Sequence, residues 1–153
     1  MKLFRALALA LYLLVPPPAL AQGTAIQDLL QEHGEVIAKS SRKTIQPAID
    51  ALRDSGLPEA QKVMERWQDK DLWLREADGA FFFVDTDGDT YTLLDIETGE
   101  AVGTADKSEL KQLKPNSGIR GLIGAALVQF QLLDPDPDTR RSALDAIARD
   151  PEE

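Results

Sequence analysis

The chain has 153 residues, the size of one domain, with 43% hydrophobic and 28% charged residues, which fits a folding globular chain rather than a disordered one. Seventeen Lys and Arg stand against 26 Asp and Glu, a net charge of −9, which argues against a nucleic-acid binder because such a protein needs basic surface to displace phosphate counterions. The absence of cysteine and a single histidine exclude a disulfide framework, a thiolate nucleophile, a Cys-based metal site and a His-pair metal site, and make an imidazole mechanism a poor expectation.

Residues 1–21 read as a secretory signal. Lys2 and Arg5 make a positive start, residues 7–15 are apolar, Pro16, Pro17 and Pro18 stop any helix, and Ala19-Leu20-Ala21 offers a small-x-small cleavage site. A membrane span needs roughly 20 apolar residues. The stretch from Leu3 to Val15 is only 13 residues long and includes Arg5. Cleavage after Ala21 removes two positive charges from −9 and leaves an exported, soluble, acidic domain of net charge −11 over residues 22–153.

The mature chain then reads as α+β. A first helix is expected over 26–38, with Ile26, Leu29, Leu30, His33 and Ile37 on one stripe. A second, over 44–55, has Thr44 as its cap and Ile45, Ala48, Ile49 and Leu52 at helical spacing. Gly56 ends it, and Pro58 opens a third over 58–68 with Ala60, Val63, Met64 and Trp67 on one face. The Ser-Gly-Leu-Pro turn makes these two an antiparallel hairpin. Period 2 follows over 72–104. Four strands are expected at 72–75, 80–85, 90–95 and 101–104, joined by turns at Gly79, Gly88 and Gly99 in an antiparallel meander. Phe81 and Phe83 share one face and Phe82 the other, so both faces of that strand should be covered. Helices are expected again over 106–113, 117–133 and 137–149. The 117–133 helix has Ile119, Leu122, Ile123, Ala126, Leu127 and Phe130 on one stripe; the last is capped by Asp136 and buries Ala143, Ala146 and Ile147.

The sequence yields no catalytic, cofactor-binding or metal-ligating set. Asp85, Asp87, Asp89 and Asp95 invite a calcium reading, but an EF-hand count from Asp85 puts Thr90 where Gly is needed and Ile96 where the bidentate Glu is needed. A solvated turn accounts for them. Asp134, Asp136 and Asp138 read as capping and helix-dipole residues, with Arg140 and Arg141 as pairing candidates for Asp136 or Asp138. Gly118, Gly121 and Gly124 lack the pattern of a phosphate loop and are expected to permit close helix packing. His33 has no second ligand nearby, and Trp67, Trp73 and the three Phe read as core.

The segment from Asp136 to Ile147 resembles the Asp-Pro-x-Val-Arg-x-x-Ala-x-x-Ala-Leu signature of a HEAT-type repeat helix, with Thr139 and Ile147 as departures. Residues 48–67 look like another such helical pair. The order of elements resembles the N-terminal periplasmic region of the urea ABC transporter permease, the B-type membrane component of the branched-chain amino-acid transporter class. That order is a signal, a helical hairpin, Leu72-Trp73-Leu74-Arg75, an Asp-Gly-Asp corner, Tyr91-Thr92-Leu93-Leu94-Asp95, Thr98-Gly99-Glu100, Lys114-Pro115-Asn116 and the Asp-Pro-Asp helix. The resemblance spans residues 3–150. It implies HEAT-like hairpins around an inserted four-stranded meander, in a non-catalytic periplasmic domain that contacts transporter membrane subunits or a substrate-binding protein. The membrane part of that family is not in this sequence, so the chain reads as a truncated permease or a free-standing relative. The alternative is a free-standing periplasmic HEAT-type adaptor with an unrelated partner; a secreted enzyme or calcium-binding protein is the third class. Leu144 and Ile147 on the last helix are expected to remain exposed and to bind a partner or a second copy.

Overall fold

The computed structural model describes residues 24–149. The expected signal segment, residues 150–153 and the expected burial of Ala146 lie outside the described residues. The fold is mixed helix and sheet. Helices α1 (Ala25–Glu32), α2 (Gly34–Lys39), α3 (Gln46–Asp54) and α4 (Glu59–Gln68) precede strands β1 (Leu72–Arg75), β2 (Phe81–Asp87), β3 (Thr90–Leu94) and β4 (Ala101–Ala105). A 3-10 turn at Lys107–Glu109 leads to β5 (Leu110–Gln112), followed by α5 (Ser117–Leu132) and α6 (Pro137–Arg149).

The sheet is antiparallel throughout, with five strands in the order β4-β3-β2-β1-β5. The sheet therefore has one strand more than the periodicity suggests, and the expected helix over 106–113 is absent. Asp106 and Glu109 do form a reciprocal capping box, the signature of a helix start. It closes only a single 3-10 turn, because β1 offers an unpaired edge on which Arg75, Leu74 and Trp73 align with Leu110, Lys111 and Gln112. Ladder bonds to β1 replace the helical ones.

The connection from β4 to β5 bends the sheet. These strands lie at opposite edges, four strand intervals apart, or about 19 Å if the sheet were flat. From Ala105 to Leu110 the chain can reach at most about 18 Å fully extended, and the 3-10 turn shortens it further. The sheet consequently curls rather than lying flat. Inside it, Trp73, Phe82, Val84, Leu93 and Leu110 form a small cluster, flanked by Ala80, Tyr91 and Ala105. Trp73 and Tyr91 meet edge to face at 5.7 Å, and the Arg75 guanidinium lies 4.7 Å from the Phe82 ring centroid.

The outer face of the sheet carries the helices. Leu72, Phe81 and Phe83 join Ile26, Leu30, Ile37, Ile49, Leu52, Met64, Trp67, Ile119 and Ile123 in the main core. Alternation along β2 thus sends Phe81 and Phe83 to the helical layer and Phe82 to the interior of the curl, as its pattern predicts.

The helix expected over 26–38 is two helices. His33 sits between them at φ −97° and ψ 8°. Gly34 follows it, a weak helix former, placed where a Cβ would touch the Phe81 ring. The break lets Ile37 rejoin the core that Ile26 and Leu30 already enter. Thr44 does not cap α3, whose N-cap is Ile45; its hydroxyl points back at the Ser41 carbonyl. Gly56, at φ +68°, ends the α3 turn as expected.

Candidate functional site

The acidic turns are built by backbone geometry. Asp87 and Thr90 pair across the β2–β3 hairpin, with Gly88 at φ +59° at its tip, and Asp85, Asp87 and Asp89 are exposed. Asp95 is occupied locally. Its Oδ1 accepts from the Glu97 and Thr98 amides at 3.1 and 2.8 Å and from the Thr98 hydroxyl at 3.1 Å. Among the described residues no group of three or more His, Cys, Asp or Glu side chains converges on a metal position.

Asp134 and Asp136 likewise shape the entry to α6. Asp134 Oδ1 accepts from the Asp136 amide at 2.8 Å. Asp136 accepts from the Asp138 amide and the Thr139 hydroxyl, and these bonds, the amide first, hold its carboxyl below the ordinary range. Arg141 pairs with Asp138 at 3.3 Å. Arg140 instead donates to the Asp134 and Pro135 carbonyls at 2.6 and 2.8 Å.

The glycines of α5 do not mark a close helix approach. A Cβ on Gly118 would meet the Arg42 side chain, one on Gly121 would meet nothing, and one on Gly124 would only touch Gln68. The side chains of Ile119, Ile123, Ala126 and Leu127 make the packing surface instead. His33 is half-buried at the α1–α2 junction. Trp67 is wholly buried and its indole N–H has no partner among the described residues.

Two polar devices had no signal in the sequence pattern. Gln27 is buried, and its amide both donates to the Phe81 carbonyl and accepts the Phe81 N–H at 3.1 Å, tying α1 to β2. A glutamine beside Ile26 on an amphipathic helix reads as solvated surface, so only the docked sheet reveals it. Arg66 Nε lies 2.8 Å from Asp71 Oδ2, an ion pair by distance without an aligned hydrogen bond, and the guanidinium lies over the Phe83 ring at 4.7 Å. Burial raises the Asp71 carboxyl above its ordinary value despite Arg66 and the Val84 amide, which oppose that shift.

Among the described residues, three concave or apolar surfaces stand out. A cavity of about 410 Å³ lies between α1, α2 and the β1–β2 turn, lined by Gln31, Gly34, Glu35, Ala38, Leu74 and Asp78. Its two carboxylates are already paired, Glu35 with Lys39 and Asp78 with Arg75. A second concavity of about 300 Å³ lies at the β3–β4 end, lined by Asp89, Thr90, Thr104, Asp106 and Glu109. The third is helical: Leu133, Leu144 and Ile147 are 84%, 57% and 46% exposed. The exposure expected of Leu144 and Ile147 is observed, although Ile147 was also expected to join the buried side. Among the described side chains of α6, only Ala143 is buried. No helix among the described residues is long and apolar enough to cross a membrane.

Compared with protein-family models, with curated proteins and with solved structures, this chain has no match.

Proposed function

We propose that the chain is a non-catalytic extracytoplasmic domain that acts by protein contact. Its setting would be a urea-type ABC uptake system, where it touches the membrane subunits or the substrate-binding protein. The transporter setting rests on the order of sequence elements. The HEAT-like reading of the helices belongs to the same proposal: α3 and α4 turn around Gly56 and both pack on α5, as does α6. A periplasmic location follows from the residues 1–21 read as a cleaved signal.

The observation that carries contact as the mode of action is α6. Ala143 is buried against the body of the domain, while Leu144 and Ile147 beside it face solvent. Repeat helices bury such faces against a neighbour, and adjoining exposed apolar side chains mark interaction surfaces.

Photocrosslinking from position 144 in cells that express the uptake system tests the reading. Crosslinks to its membrane or substrate-binding components are expected, and Ile147→Asp should abolish them. Because Ile147 is half-exposed, that variant should keep its stability within about 0.5 kcal/mol. Intact mass should show a chain beginning at Gln22. A product that retains residues 7–15 would overturn export, and crosslinks confined to proteins outside any uptake system would replace the transporter with an unrelated adaptor partner.

A further inference from the structure

The sheet has two edges, and they are protected unequally. β5 is three residues long and carries Lys111, and short length and lysine both discourage foreign strand pairing. β4 has no charged residue and no proline. Its residues 101–104 are all exposed, Val102 to 56%. Among the described residues its backbone bonds only to β3. Alternate residues of an antiparallel strand turn their N–H and C=O away from the neighbour, so the outer side of β4 presents unpaired donors and acceptors. A bulge places Val102 out of register, but Gly103, Thr104 and Ala105 align regularly with Leu93, Thr92 and Tyr91.

Charge selects the occupant. Glu100 immediately precedes β4 and Asp106 immediately follows it, and both are exposed. Beyond Asp106, the carboxylates of Asp89 and Glu109 line the adjoining concavity with Thr90 and Thr104. Lys107 in the 3-10 turn and Lys62, whose ammonium reaches the turn at Gly99, are the opposing cations. A second copy fits poorly. Antiparallel pairing centred on Gly103 would set Glu100 opposite the Asp106 carboxylate of the copy, twice, and like charges directly opposed destabilise a strand pair.

We propose that the β4 edge accepts, by strand addition, an extended basic segment of a partner protein, with Lys or Arg about six residues apart facing Glu100 and Asp106. Main-chain bonds hold the segment and the flanking carboxylates select its charge. This surface is separate from α6 and does not depend on the transporter setting.

The probe is the peptide acetyl-Lys-Thr-Val-Thr-Val-Thr-Lys-amide, titrated into the isotope-labelled protein and followed by NMR. Saturable shifts and slowed amide exchange are expected at residues 101–105. Affinity should fall at least tenfold for the analogue with Glu in place of both Lys, and for the Glu100→Lys, Asp89→Lys double variant. N-methylation of alternate peptide residues should abolish binding, and Ile147→Asp should leave it unchanged. No saturable binding, shifts confined to other elements, equal affinity for the Glu-ended peptide, or loss on Ile147→Asp would overturn the proposal. Sedimentation showing dimers that Thr104→Lys dissolves would overturn it in favour of self-pairing.

Discussion

The two faces of one sheet make two cores of different kinds. On the outer face Phe81 and Phe83 are shared with side chains from α1 to α5, so that layer joins residues as far apart in the chain as Ile26 and Leu127. Inside the curl, Phe82, Val84 and Trp73 cluster with Ala80 and with other strand residues, and their coverage comes from the bend of the sheet itself. The first core depends on helices docking; the second depends on the β4–β5 connection being too short for a flat sheet. Adjacent residues of β2 therefore report on different events.

The largest expected effect is at Phe81. Phe81→Ala should cost about 3–5 kcal/mol, the range for a wholly buried aromatic, and chemical denaturation should show loss of the whole fold. Phe82→Ala should fall near the lower end, about 3 kcal/mol, since a single layer of side chains can partly collapse around the gap. Hydrogen exchange should then quicken in β3 and β5 before α3 and α4. Equal acceleration in the helices would show that the two cores unfold as one.

Gln27 links α1 to β2 and so sharpens the comparison. Gln27→Ala leaves both polar groups of Phe81 without a partner, at a cost of about 1–3 kcal/mol. The loss should appear as detachment of α1 in exchange measurements, with the interior of the curl unaffected. A stability change below the error of denaturation would show that water replaces the amide.

The smallest effects are in pH dependence, and their signs oppose. The Arg75 guanidinium holds the Asp78 carboxyl below its ordinary value. Its contribution is therefore present above the ordinary carboxylate range and lost as pH falls through the lowered value. Burial raises Asp71, so its contribution is full below the ordinary value and lost as pH rises through the raised one. Relative to the unaltered protein, Asp78→Asn should be less stable at pH 7 than at pH 3. Asp71→Asn should show the reverse trend. Parallel slopes in denaturation at the two pH values would refute the assignment.

Local rules determined much of the fold. Helical spacing marked Ile45, Ala48, Ile49 and Leu52, and Val63, Met64 and Trp67, as buried faces, and they are. Glycines at the three hairpin corners have positive φ, at Gly79, Gly88 and Gly99, because a side chain resists that conformation and a tight turn needs it. The exposure of Leu144 was also legible, from a helix whose neighbours cover only one side.

Tertiary structure decided the rest. Leu110 and Leu113 have the spacing of a helix, and the capping box at Asp106 and Glu109 begins one; pairing with β1 outweighs both, since a backbone ladder depends on which strand lies alongside. The break at His33 depends on where Phe81 meets Gly34, and the burial of Gln27 on the same docking. The open edge of β4 was equally hidden. A strand's periodicity records which side chains alternate between faces, whereas its place at the rim is a property of the assembled sheet.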